Sequence, residues 1–246
     1  MRPTLVALLI ACLLGCHPEW KAQREATLAS LAGMMVAVDE ARIPDPLPED
    51  LSRYGRHADF LRFIHPRAVK AVTLQREVEP LVRASMAWMS PRDWGQHDTV
   101  VRYRTEADRL LAVLDGNLEL QESTFGATGQ RAIDAMDVPA PSREAFRSGL
   151  RAAWERNGLI RSFLAAYRER TQAQRDLLAH LEANLERMDD VRPLFPDTDK
   201  AEAYRRLQAL ERASMGRLQE RLVAAAQELR ALQARQRELV ESMREP

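Results

Sequence analysis

An apolar repeat with steps of three and four residues runs through the C-terminal part of the chain and constrains the fold more than any other feature. Its first run covers 146–188 and its second covers 215–243. Repeats that average about 3.5 residues are typical of helices that supercoil around each other. The segment between the runs, 189–197, contains two prolines and predicts a turn. We therefore predict an antiparallel helical hairpin with arms of equal length, 143–188 and 199–244.

The repeat also predicts the register of this hairpin. If the turn is centred near Leu194, then Leu178 faces Leu210 and Leu164 faces Leu222. Each of these pairs would contribute one apolar layer to the seam between the arms.

The first arm changes character along its length. Around 159–167 its apolar residues cover more than one face, so this base must pack against several helices. Beyond Thr171 the apolar face narrows towards a single seam. We therefore predict that the turn end, 172–215, projects as a two-helix arm and contacts a partner; the alternative is that another helix or a second copy of the chain covers it. Asn157-Gly158 is the weak point of the arm, because glycine costs a helix about 1 kcal/mol.

Helical periodicity also fills most of the N-terminal half. Apolar residues recur every three or four positions in 18–42, 49–90 and 98–125, and the second pattern continues across Pro66 and Pro80. Ala, Leu, Arg, Glu and Gln dominate the composition, as is typical of helices. The predicted fold is all-α, an elongated helical bundle with a long C-terminal antiparallel coiled-coil-like hairpin. The predicted divisions are a signal peptide (1–15), an N-terminal helical bundle region (16–140) and the hairpin packed on it (141–246).

A secretory signal precedes these helices. Arg2 supplies its positive charge, 5–14 its apolar segment, and Gly15 a small residue before Cys16. As a helix the apolar segment spans about 15 Å, roughly half the hydrocarbon core of a bilayer, so a permanent membrane span is not expected. Leu-Leu-Gly directly before Cys16 resembles the lipobox of bacterial lipoproteins, in which the cysteine takes a diacylglyceryl group, the chain is cut before it and the new amine is acylated. The resemblance implies lipidation at Cys16; an ordinary signal peptide cut before a free cysteine is the alternative.

The residues around the lipobox carry further expectations. In such lipoproteins an aspartate after the cysteine often signals retention in the inner membrane, and His17 stands there instead. The resemblance therefore implies the outer membrane, on its periplasmic side. Cys12 leaves with the signal peptide, so the mature chain is expected to contain no disulfide.

Charge and motifs point away from several functional classes. Basic and acidic residues both number 36, which gives no reason to expect a nucleic-acid partner. No phosphate loop or nucleophile elbow is present in the sequence. His57, His65 and Asp59 could form a metal site, but exposed or capping histidines explain the pattern better. His97-Asp98 is typical of a helix start. We therefore predict no catalytic, cofactor or metal-binding residues and no enzyme, although distant carboxylates that meet in the fold would reverse this.

Six aromatic residues are spaced so that they either line a ligand cavity or fill the core, and the core is the expected place. They are Trp88, Trp94, Phe146, Trp154, Phe163 and Tyr167.

The order of several short motifs resembles the YiaF-like lipoproteins of Gram-negative bacteria. The C-terminal half is richer in Arg and Glu than is expected of that family. The family has no established activity, so the resemblance implies an envelope location and a helical fold but no functional residues. The matching residues are Gly15-Cys16, Glu79-Pro80-Leu81-Val82, Phe195-Pro196, Ala201, Tyr204 and Leu207.

Three functions are compatible with these features. The first is a non-enzymatic lipoprotein that is held on the membrane by Cys16 and scaffolds or binds another envelope protein. The second is a helical carrier or sensor that holds a lipid or small apolar ligand between helices, which requires a dry pocket of several hundred Å³. The third is an envelope hydrolase, which requires carboxylates or histidines that converge in a cleft.

Overall fold

The computed structural model describes the backbone of residues 18–89, 94–189 and 192–242, and side chains within 21–88, 94–187 and 193–227. Almost all of this chain is helical, which confirms the predicted all-α class. None of the helices in these ranges is long and apolar enough to cross a membrane. The α-helices are α1 (Pro18–Asp39), α2 (Ala58–Ser85), α3 (His97–Phe125), α4 (Ala127–Asp134), α5 (Ala140–Arg156), α6 (Gly158–Asn184) and α7 (Thr198–Ser242). Short 3-10 helices cover Ser52–His57 and Ala87–Met89, and two strands, β1 (Arg187–Asp189) and β2 (Arg192–Leu194), pair antiparallel.

The chain divides into two compact units, and each is built from two separate segments. Unit 1 comprises the residues up to Pro80 together with Asp115–Gly158, and unit 2 comprises Leu81–Leu114 and the residues from Leu159 onward. Helices α2 and α3 therefore each contribute to both units. The predicted domain boundary between residues 140 and 141 lies within unit 1. The division into a bundle region and a hairpin region stays a prediction.

Unit 1 has an aromatic core. Phe60 and Phe146 are almost fully buried and stack with their ring centroids 3.9 Å apart and an interplanar angle of 3°. Helix α2 supplies much of this core and continues across Pro66 and Pro80, as predicted. It does so although each proline removes a backbone donor from the helix. The other large buried side chains of this core are Leu31, Met34, Tyr54, Leu61, Phe63, Ile133, Met136 and Leu150.

Unit 2 buries a broad face of α6. Leu177 and Leu178 are adjacent in the sequence and both fully buried, so two stripes of the helix face the interior. Glu182 on α6 pairs with Arg104 on α3, and Asp108 on α3 pairs with Arg175 on α6. The predicted free two-helix arm is therefore wrong along α6, because a helix with two buried stripes needs more than one neighbour.

The hairpin of α6 and α7 is antiparallel, as predicted. Near the turn, His180 contacts the carbonyl of Lys200 at 2.9 Å, about seven positions from the partner that the predicted register assigns to it, so the predicted register is wrong there. Farther along, Glu169 pairs with Arg217, one position from the partner that the predicted register assigns to it. The predicted apolar layers at Leu210 and Leu222 are both wrong, because these side chains are 58% and 47% exposed.

The two arms differ in their continuity. Helix α7 begins one residue before the predicted second arm and is unbroken from Thr198 to Ser242, where the described residues stop. The predicted first arm is instead two helices, α5 and α6, which separate at Asn157-Gly158. This is the point at which the sequence indicates a weak helix.

We expect Gly129→Ala to destabilise the protein by about 1–3 kcal/mol, the usual cost of overpacking a core. Gly129 is buried in α4, and an added Cβ would overlap the backbone carbonyl oxygen of Thr124. Gly33→Ala is the matched control, because its Cβ would meet nothing within 4 Å on the exposed side of α1. This control should stabilise the protein by up to about 1 kcal/mol. Urea denaturation compares the two variants, and equal effects on the free energy of unfolding would contradict the packing around Gly129.

Candidate functional site

Cys16, the predicted lipidation site, lies outside the described residues, and its role stays a prediction. Within the described residues, two polar clusters are buried. One surrounds His57 in unit 1, and the other surrounds the backbone carbonyl of Trp88 in unit 2.

His57 is a buried residue of the unit 1 core, with only 3% of its surface exposed. Its Nε2 lies 3.0 Å from the Ser142 hydroxyl, and its ring meets the edge of Phe146 at a centroid distance of 6.1 Å. Burial lowers the pKa of His57, and the charge of Arg24 lowers it further, whereas the backbone of Tyr54 acts in the opposite direction. The prediction that this histidine is exposed or capping is therefore wrong.

The three residues considered for a metal site do not converge. His65 contacts the carbonyl oxygen of Asp45 at 2.9 Å, and Asp59 pairs with Arg62 at 2.8 Å, while His57 binds within the core. No group of three His, Cys, Asp or Glu residues suited to a metal ion occurs in the described ranges.

We expect the stability of unit 1 to depend on pH through His57. Because its pKa is lower in the folded chain than the ordinary value of about 6.5, the unfolded chain binds more protons in the interval between the two values. The contribution of His57 is therefore fully present above pH 6.5 and declines as the pH falls through this interval. His57→Asn should flatten that part of the profile of unfolding free energy against pH, measured by urea denaturation. His65→Asn, the matched control, should leave it in place, and a slope that survives in His57→Asn would contradict the assignment.

A polar groove of about 440 Å³ adjoins this region of unit 1. Asp50 accepts hydrogen bonds from the backbone and hydroxyl of Ser52, which lower the pKa of its carboxyl. Arg56 pairs with Asp137 across the groove at 2.5 Å. The charged lining differs from the dry apolar pocket that a lipid carrier requires.

The polar cluster of unit 2 centres on the backbone carbonyl of Trp88. This carbonyl accepts hydrogen bonds from Trp94 Nε1 at 3.1 Å and from Gln174 Nε2 at 3.3 Å. The indole nitrogen of Trp88 donates to Glu106 at 2.8 Å. The short segment that contains Trp88 is thereby tied to both α3 and α6.

Partly exposed arginine–carboxylate pairs also join α3 and α6. Asp108 contacts Arg104 at 3.3 Å and Arg175 at 2.9 Å, and Arg104 also pairs with Glu182. The carboxylates of Asp108 and Asp176 raise the pKa of Arg175 through hydrogen bonds. These carboxylates are held by guanidinium groups, which is the arrangement of a structural network and not of an acid–base pair facing a cleft.

Arg170 is a buried charge on α6, one turn before Gln174. It is only 2% exposed, and its guanidinium carbon lies 6.0 Å from the centre of the Tyr167 ring. Its Nε and Nη2 atoms have no hydrogen-bond partner among the residues that the structure describes. Sequence reasoning missed this residue because it stands among charged neighbours typical of a solvated face. The sequence does contain one indication of burial. Arg170 precedes the apolar Leu177 by seven residues, which places both on the same face of the helix.

The aromatic residues largely serve the core, as predicted. Four of them, Trp88, Trp94, Phe146 and Tyr167, are buried.

Comparisons of the chain with protein-family models, with curated proteins and with solved structures found no match.

Proposed function

We propose that this chain is a lipid-anchored lipoprotein of the cell envelope, on the periplasmic side of the outer membrane, and that it acts as a non-enzymatic scaffold for another envelope protein. The observation that carries the proposal is Leu-Leu-Gly directly before Cys16, at the end of a short apolar segment. Two acyl chains are enough for stable anchoring, because each buried methylene contributes about 0.8 kcal/mol. A lipidated Cys16 would therefore hold the chain on a membrane without a spanning helix.

A scaffold function is supported by what the described helices present to their surroundings. Helix α7 is 45 residues long and exposes three large apolar side chains, Leu210, Leu222 and Val223. Exposed apolar side chains on a long helix suit protein contacts better than chemistry.

The lipid anchor is tested by incorporation of labelled palmitate. Cys16→Ser should abolish labelling, because the thioether linkage requires the cysteine sulfur. Cys12→Ser is the matched control in the same signal segment and should remain labelled. Labelled Cys16→Ser protein would contradict the anchor.

Location and partner require separate measurements. Density fractionation of membranes should place the wild type in the outer membrane, and His17→Asp should move it towards the inner membrane.

A photo-crosslinker at position 223 should give a discrete product with another envelope protein, and Cys16→Ser should remove that product. If position 223 gives no more product than Val36, which is similarly exposed, the scaffold surface on α7 is wrong.

The alternative functions have weaker support. A carrier or sensor of a lipid or small apolar ligand was suggested by the aromatic residues, yet most of them are occupied in the cores. A hydrolase would need converging acid–base groups, whereas Asp108 and Glu182 lie against arginines.

A further inference from the structure

The guanidinium group of Arg170 has one edge without a described partner inside the core of unit 2. The edge is formed by Nε and Nη2, and both atoms are buried. These two N–H groups point in the same direction, so together they match the two oxygens of one carboxylate. Neighbouring buried polar groups of α6 are already engaged, since Thr171 donates to the Tyr167 carbonyl at 2.8 Å and Gln174 donates to that of Trp88.

Other arginines of this chain use the same edge for carboxylates. Arg217 donates from Nε and Nη2 to the two oxygens of Glu169, at 3.3 and 2.5 Å. Arg104 donates from the same two atoms to Glu182. These pairs are partly exposed, where such contacts contribute little, whereas Arg170 is buried, where an uncompensated charge is costly.

We propose that the Nε–Nη2 edge of Arg170 binds the carboxylate group of a small molecule. This inference goes beyond the scaffold function and does not depend on the membrane anchor. The single negative charge of a carboxylate balances the single positive charge of the guanidinium, whereas a phosphate monoester brings about −1.5 to −2 at pH 7. A small molecule fits better than an acidic side chain of a docked protein, because Arg170 is 2% exposed and a rigid surface does not reach it.

Arg170 has two buried neighbours along its own helix. Tyr167 and Gln174 lie one turn to either side of Arg170 on the same face of α6, and both are buried. The hydroxyl of Tyr167 is held 3.0 Å from that of Ser85. A ligand must therefore be compact near its carboxylate, and the side chains that cover Arg170 must move for it to enter.

Acetate and formate are the probes for the wild-type protein. The thermal unfolding midpoint of the full-length chain is measured at constant ionic strength while sodium chloride is replaced by either salt. A ligand that binds the folded state raises the midpoint progressively with its concentration. We expect acetate and formate to raise it and chloride to have no such effect. A midpoint that follows ionic strength alone would overturn the proposal.

Arg170→Met separates a ligand site from a structural ion pair. If the Nε–Nη2 edge is a ligand site, methionine removes an uncompensated buried charge. The thermal unfolding midpoint in chloride should then be unchanged or higher. The affinity for acetate should fall at least about tenfold. Arg206→Met is the control, because that side chain is 81% exposed on α7, and it should keep the wild-type acetate response. A lower midpoint or failure to fold in Arg170→Met would show a structural partner and overturn the proposal, as would an acetate response that survives in this variant. Carbon-13 acetate line broadening in the wild type measures binding directly, and no broadening also overturns it.

Discussion

Trp88→Ala is expected to lower the free energy of unfolding by about 3–5 kcal/mol, the usual cost of removing a buried aromatic side chain. Trp88 is fully buried, and its indole nitrogen holds the carboxylate of Glu106. The substitution leaves a cavity and deprives that carboxylate of its donor. Chemical denaturation followed by far-ultraviolet circular dichroism measures the loss.

Two further variants make the Trp88 prediction specific. Trp88→Phe keeps most of the apolar volume but loses the hydrogen bond to Glu106, so its cost should be smaller. Met86→Ala, two residues away, alters a side chain that is 67% exposed and should change stability by no more than about 0.5 kcal/mol. Similar losses for Met86→Ala and Trp88→Ala would be inconsistent with the described core of unit 2.

Phe146→Ala should cost a similar amount, about 3–5 kcal/mol, and should also change the response to pH. The ring of Phe146 stacks on Phe60 and meets the edge of His57. Without the Phe146 ring, water gains access to His57. Burial is the main cause of the lowered pKa of His57, so this lowering becomes weaker. The loss of stability below pH 6.5 that comes from His57 should therefore become smaller.

The Phe146 prediction has an internal control in unit 2. Phe163 also stacks on an aromatic ring, that of Tyr167, but it is only partly buried. Phe163→Ala should cost less than Phe146→Ala and should leave the pH dependence below 6.5 unchanged. Denaturation at several pH values tests both points, and an undiminished slope in Phe146→Ala would separate His57 from this packing.

Helix positions could be predicted from the sequence because they depend on local spacing. The apolar repeat across Pro66 and Pro80 predicts a kinked helix within one domain; α2 does run through both prolines, but the boundary between the two units falls directly after Pro80. Asn157-Gly158 marks the break between α5 and α6. In each case the relevant residues lie within a few turns of one another.

The buried polar groups could not be predicted in the same way. His57 owes its burial to Ser142 and Phe146, and its hydroxyl partner is 85 residues away. Arg170 carries the sequence pattern of a solvated residue, and only the packing of unit 2 places it in the interior. Whether a polar side chain is buried depends on which distant segment packs against it. The spacing of residues along one helix does not contain that information.

The split composition of the two units has a consequence for synthesis on the ribosome. Trp88 belongs to the first segment of unit 2, and its hydrogen-bond partner Gln174 follows 86 residues later. At about 5–20 residues per second, that partner is made roughly 4–17 s after the tryptophan. Hydrophobic collapse of a nascent chain takes microseconds, so Trp88 stays without its α6 neighbour Gln174 for a period that is very long on that scale. The rate at which the intervening residues are made, among them Asp115–Gly158 of unit 1, therefore sets how long Trp88 lacks this partner.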